Sequence, residues 1–220
     1  YKLMIMVFLI SFVLTLIIII LPAKWTTSGD DLIGVQKFHS TPTPRIAGLP
    51  IFITFFLSLW FIDQLEVNFA VLFLASLPVF FSGLLEDVTA KISPKNRMLA
   101  TLLSIVILFF MGGVSINFLG FEWIDRYLSS YVILSLLLTL LVAAAAVNAV
   151  NIIDGFNGLM PGYSILVLLA IAYVANILGD DLVLQLSLIL ISSLAGFFVF
   201  NFPFGRIFMG DGGAYFVGFM

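Results

Sequence analysis

The chain has no cysteine, one histidine and few charges. Without cysteine there is no disulfide, no thiolate metal site and no iron–sulfur cluster, and a single histidine excludes any centre built from several imidazoles. A metal, if the chain uses one, must be held by oxygen, which favours Mg2+ or Mn2+. Charged residues make up 10% of the 220, and the net charge is −3. The basic residues are scattered through short loops and form no stripe, so nothing marks a nucleic-acid partner. Fixed-period repeats, low-complexity tracts and a polar stretch long enough to be a separate soluble domain are also missing.

What fills the chain instead is apolar. Hydrophobic residues reach 62% and the mean hydropathy is +1.23, against roughly 45–50% apolar in soluble domains. The chain therefore reads as an integral membrane protein. Apolar runs at about 3–21, 48–62, 69–85, 99–118, 131–153, 159–178 and 182–202 each approach the ~20 residues that cross ~30 Å of hydrocarbon, and an eighth begins near Ala214. The expected fold is an all-α polytopic membrane helix bundle, with about seven complete transmembrane helices plus the start of an eighth, in one domain over residues 1–220. The second and third runs are short and the third carries Pro78, which predicts kinking or burial against neighbours. The first run is longer than the 7–15 residues of a signal-peptide core and no small-residue cleavage site follows, so it is read as an anchor. Because the chain opens on Tyr1 and closes on Met220 inside an apolar run, both ends look cut, and this reading expects a fragment truncated at the C-terminus, with truncation at the N-terminus left open.

Seven of the nine basic residues, Lys24, Lys37, Arg45, Lys91, Lys95, Arg97 and Arg206, fall in the loops 22–47, 86–98 and 203–213. The positive-inside rule puts those loops in the cytoplasm. Counting crossings, the same side receives His39 to Arg45, Glu86-Asp87, the stretch Asn148 to Gly158 and Phe208 to Asp211. The Asn148 stretch stands out because it sets polar side chains between two long apolar runs, where an ionisable group costs roughly 2.5–3.5 kcal/mol even on lenient insertion scales. Asn148, Asn151 and Asp154 are three apart and point to one side of a helix, which Gly155 and Gly158 then break.

Taken singly, each cluster has a plain explanation. Glu86-Asp87 reads as a solvated loop, His39 beside two prolines as a loop histidine, the glycines around Asp211 as a flexible turn, and Lys91, Lys95 and Arg97 as topology signals. Together they bring oxygen ligands for a hard cation, cationic side chains for phosphates and glycines that let backbone approach a ligand to one membrane face. That chemistry suits a diphosphate, with His39, Arg45, Lys95, Arg97 and Asn148 as candidate substrate-binding residues. A transporter is the main rival from another class and predicts polar groups near the midplane. A non-catalytic scaffold is the third, and predicts no convergence of Asp87, Asp154 and Asp211.

Four segments in order, HSTPTPRIAGL (39–49), GLLEDVTAKISPKNR (83–97), NAVNIIDGFNGL (148–159) and FMGDGG (208–213), closely resemble those of the polyprenyl-phosphate N-acetylhexosamine-1-phosphate transferases. The resemblance implies Mg2+-dependent transfer of a sugar 1-phosphate from a UDP-linked N-acetylated sugar to undecaprenyl phosphate, releasing UMP, at the cytoplasmic face of the inner membrane. It implies Asp211 and Asn151 as metal ligands, Phe208 stacked on uracil, Asn157 at the uracil edge, Asp87 with Glu86 activating the lipid phosphate, and Asp154 as a further acid close to the metal. The implied partners are the UDP-sugar, undecaprenyl phosphate and the lipid bilayer, with a homodimer left open. Two departures qualify it: the family commonly has Asp-Asp where this chain has Glu86-Asp87, and Asn157 replaces the second acid of DGxDG. The latter favours an enzyme that initiates surface-polysaccharide synthesis over the peptidoglycan enzyme.

Overall fold

The computed structural model describes residues 1–21, 43–61 and 69–220, and every structural element among them is helical. In chain order these are α1 Lys2–Ile20, α2 Gly48–Leu59, α3 Phe69–Thr89, α4 Pro94–Gly112, α5 Glu122–Ser130, α6 Val132–Ile153, α7 Leu159–Leu178, α8 Asp181–Asn201 and α9 Gly210–Phe219. Six of them, α1, α3, α4, α6, α7 and α8, are long and apolar enough to cross a membrane. The protein is a multi-pass membrane helix bundle.

The expected second span is shorter than its apolar run. Helix α2 has 12 residues, about 18 Å at 1.5 Å per residue, well short of a bilayer core. Its surroundings explain why. Ile51, Phe55 and Leu59 are fully buried and α2 packs on α1, α8 and α9, so most of its surface meets protein, with Ile53 and Leu57 left exposed. Phe52 stacks on Phe80 with centroids 4.0 Å apart, and Phe216 meets Phe52 edge-on at 5.1 Å. This aromatic cluster joins α2, α3 and α9.

Local chemistry sets the other boundaries. Ser93 caps α4, its hydroxyl accepting the Asn96 N–H at 3.3 Å, and Pro94 occupies the first helical position. Lys95 and Arg97 therefore stand on the first turn of α4, not in the loop expected from the apolar run. Pro78 interrupts α3, and the Val79 N–H it frees donates to the Ser104 hydroxyl of α4 at 3.0 Å. Helix α5 lies between the apolar runs 99–118 and 131–153, where hydropathy predicts no span. Its exposed Trp123, Tyr127 and neighbouring Tyr131 form one aromatic edge, with Glu122, Asp125 and Arg126 on the other, as expected of a helix lying at a membrane interface.

Helix α9 starts at Gly210, four residues earlier than the apolar run suggests, so Asp211 is in its first turn. Almost the whole helix is buried, packed on α2, α3 and α6. Before it, the chain pairs with residues 44–48: Phe208 N–H donates to the Pro44 carbonyl at 2.8 Å, Ala47 N–H to the Phe208 carbonyl at 3.2 Å, and Gly48 N–H to the Met209 carbonyl at 2.9 Å. The sequence-distant motif segments are thus tied at one end of the bundle.

Candidate active site

Asp211 is the hub of that end. Its backbone N–H donates to Asp87 Oδ1 at 2.8 Å, and the next N–H, that of Gly212, donates to Asp87 Oδ2 at 2.9 Å. Its side chain takes an amide donor from Asn151 Nδ2 at 3.0 Å on Oδ1 and an ion pair from Arg97 on Oδ2. Arg97 also lies over the Tyr215 ring, 5.8 Å from its centroid, one turn along α9. Helices α3, α4, α6 and α9 therefore each contribute one group to a partly buried cluster of two carboxylates, one guanidinium and one amide.

Asp154 ends α6 just beyond the membrane-spanning residues. Partial burial pushes its carboxyl up to about 6, against the opposing pull of the Arg45 guanidinium. Glu86, beside Asp87 on α3, is turned elsewhere: Oε2 accepts the Ile92 N–H at 2.6 Å and closes the turn into α4. Asn148 also points away from Asp211, its amide donating to the Ala144 carbonyl at 2.8 Å and lying 3.9 Å from Met98 Sδ. Lys95 is exposed, while His39 lies outside the described residues.

Asn157 and Phe208 sit on two loops that meet beside this cluster. The Asn157 amide packs against Gly205, with Nδ2 3.5 Å from the Pro203 carbonyl. Sequence reasoning missed the residue that joins these loops. Asn201, at the end of α8 and 3% exposed, accepts the Gly158 N–H on Oδ1 at 2.6 Å and donates Nδ2 to the Ile207 carbonyl at 2.9 Å. The available signal was an amide inside the apolar run 182–202, the same oddity that singled out Asn148 and Asn151.

The donor chemistry fits a hard divalent cation only in part. Among the described residues no three His, Cys, Asp or Glu side chains group closely enough to hold a metal ion. Asp211 and the Asn151 amide offer one carboxylate and one neutral oxygen, too few for a protein-only cage. They suit Mg2+, which binds through one or two carboxylates and completes its shell with water and substrate phosphates.

Residues 69–220 match the sequence profile of a family described as glycosyl transferase family 4. A probable undecaprenyl-phosphate N-acetylglucosaminyl 1-phosphate transferase of Bacillus subtilis is 31% identical over 186 residues, covering 84% of this chain and 51% of the relative. A decaprenyl-phosphate N-acetylglucosaminephosphotransferase of Mycobacterium leprae is 26% identical over 207 residues, 84% of this chain and 50% of its own length. A phospho-N-acetylmuramoyl-pentapeptide-transferase of Borreliella afzelii is 27% identical over 204 residues, 80% of this chain and 58% of its own. The chain spans about half the length of these curated relatives.

Proposed function

The chain belongs to glycosyl transferase family 4, and on that premise we propose that it carries the reaction centre of a membrane enzyme transferring a sugar 1-phosphate from a UDP-N-acetylated sugar to undecaprenyl phosphate. The observation that carries this reading is the convergence on Asp211 of Asp87, Arg97 and Asn151 from three other helices. Among the described residues Asp87, Asp154 and Asp211 do not group closely enough to hold a cation by themselves, so what speaks against a scaffold is the Asp211 cluster with Arg97 and Asn151. A transporter would place that cluster near the midplane rather than at one end of the bundle.

In the proposed reaction an oxygen of the lipid phosphate attacks the β-phosphorus of the sugar nucleotide. The bond from that phosphorus to the bridging oxygen breaks, and UMP leaves with the oxygen. Little covalent chemistry falls to the protein, whose work is to align two phosphates and offset charge. Arg97 supplies a fixed positive charge, held in place by Asp211 and the Tyr215 ring. Asp211 and Asn151 would hold Mg2+, which when bound neutralises charge on the diphosphate. Phe208 offers a face for uracil and Asn157 an amide for its edge, a planar polar match. Exposed Arg45 and Lys95 are placed to draw anionic substrates to this end. The reacting end faces the cytoplasm, and Asn157 favours a polysaccharide-initiating role.

The test is UMP release by membranes carrying the full-length protein, from a panel of UDP-sugars, with and without undecaprenyl phosphate. Release that needs both substrates and the divalent cation is expected. A full-length protein that binds UDP-sugar yet releases no UMP with any member of the panel would sink the proposal.

A further inference from the structure

We infer that Asp87 acts on the reaction from behind Asp211: its carboxylate is the anchor that fixes the start of α9 and so aims the Asp211 side chain. Only the role of Asp211 in this inference rests on the transfer reading above. Asp87 is 7% exposed, in the last turns of α3. Its two oxygens accept the N–H groups of Asp211 and Gly212, two of the four that the first turn of a helix leaves without internal partners. It is a helix cap supplied by a neighbouring helix, where the helix dipole and charge-assisted hydrogen bonds both favour a carboxylate.

The packing around Asp87 is built for that contact. A Cβ at Gly210 would lie 2.6 Å from Asp87 Oδ2, and a Cβ at Gly83, one turn before Asp87, would lie 2.5 Å from the Gly212 nitrogen. A side chain at Gly83 would force α3 and α9 apart, and one at Gly210 would collide with the Arg45 carbonyl and with Asp87 itself, so in either case the carboxylate would no longer reach both N–H groups. Arg97 and Asn151 can then hold the Asp211 side chain only because its backbone is already placed. The same geometry leaves neither Asp87 oxygen free to take a proton from substrate without giving up an N–H contact. A phosphate monoester has lost most of its second proton by neutral pH, so alignment is needed there more than a base. Asp87 is therefore a positioning residue.

Hydrogen–deuterium exchange on the full-length protein in lipid nanodiscs, without substrate or cation, tests this directly. Asp87→Asn keeps the shape but turns an NH2 group towards one of the two N–H donors. Exchange across residues 208–216 is expected to accelerate at least about tenfold, with residues 122–130 of α5 unchanged. Wild-type exchange at 208–216 in this variant overturns the inference. Should Asp87→Asn not accumulate as folded protein, Asp87→Glu keeps the charge on a longer arm and is expected to show the same localised acceleration at smaller size; wild-type protection there again overturns it. The pH–rate profile separates positioning from proton transfer: residual Asp87→Asn turnover should keep the wild-type acid limb, and its disappearance would assign the proton to Asp87 and overturn the positioning role. A wild-type protein that releases no UMP defeats the transfer reading while the exchange result still decides this one.

Discussion

Asn201 offers the sharpest test of how the nucleotide end of the site is held together. Asn201→Ala removes the acceptor for Gly158 N–H and the donor for the Ile207 carbonyl in one step. A buried polar group left without a partner costs about 1–3 kcal/mol. Gly158 is half-buried, so the lower end applies there; Ile207 is fully buried and the upper range applies. The sum is about 3–4 kcal/mol, which for a chain of this size corresponds to a Tm lower by on the order of 10 °C. Asn201→Asp is the control of equal shape. It keeps the acceptor for Gly158 but sets a carboxylate oxygen against the Ile207 carbonyl, so it should cost at least as much as alanine. Thermal unfolding of the full-length protein in nanodiscs reads both. If the loops bearing Asn157 and Phe208 also loosen, KM for UDP-sugar should rise by about tenfold with a smaller change in kcat. Both variants unfolding within a degree or so of wild type would refute the claim that Asn201 ties these loops.

Asp211→Asn should abolish turnover of the full-length enzyme at saturating Mg2+, because the substitution removes the one negative charge offered to the cation and paired with Arg97; wild-type rates would remove Asp211 from the centre. Asp154 sets a pH dependence of stability. Its folded pKa of about 6 lies above the ordinary 3.8, so the folded state binds the proton more tightly, and stability falls as pH rises between about 4 and 6. In EDTA, Asp154→Asn should therefore match wild type near pH 4 and exceed it by about 1–3 kcal/mol above pH 7, seen as a higher Tm. Equal unfolding curves at pH 8 would show that the carboxylate is not desolvated. For topology, single cysteines replacing exposed Thr89 and Phe204 should stay silent to an impermeant thiol reagent in intact cells, while one replacing exposed Ser129 reacts. Labelling of all three from outside would reverse the assigned orientation.

How much of this was legible depended on which property each residue expressed. Long apolar runs announced α1, α6, α7 and α8, because a bilayer demands length and hydropathy and sequence displays both directly. The same measure misjudged α2. A helix wrapped by α1, α8 and α9 is as apolar as a lipid-facing one but is released from the length rule, and hydropathy cannot distinguish protein from lipid as the apolar neighbour. It also passed over α5, whose charged edge lowers the average below any spanning threshold although its aromatic edge suits an interface. Polar residues stranded in apolar runs pointed to Asn148, Asn151 and Asp154, yet that oddity says nothing about partners. Asn151 reaches Asp211, whereas Asn148, one turn earlier, spends its amide on its own helix.

The glycines carry the last step, because their meaning reverses between sequence and structure. Read along the chain, Gly210, Gly212 and Gly213 around Asp211 suggest a loose turn, and Glu86-Asp87 suggests a solvated loop. In the fold all five lie on helices, and Gly210 and Gly212 meet the last turns of α3 at distances that only a missing Cβ permits. Close approach is what converts two adjacent acids into unequal ones. Asp87, facing α9, reaches two backbone N–H groups, while Glu86, about 100° further round the helix, can reach only the turn at Ile92. Sequence spacing could assign the pair to a site but could not divide the work between its members, since the division is made by α9, which lies more than a hundred residues further along the chain.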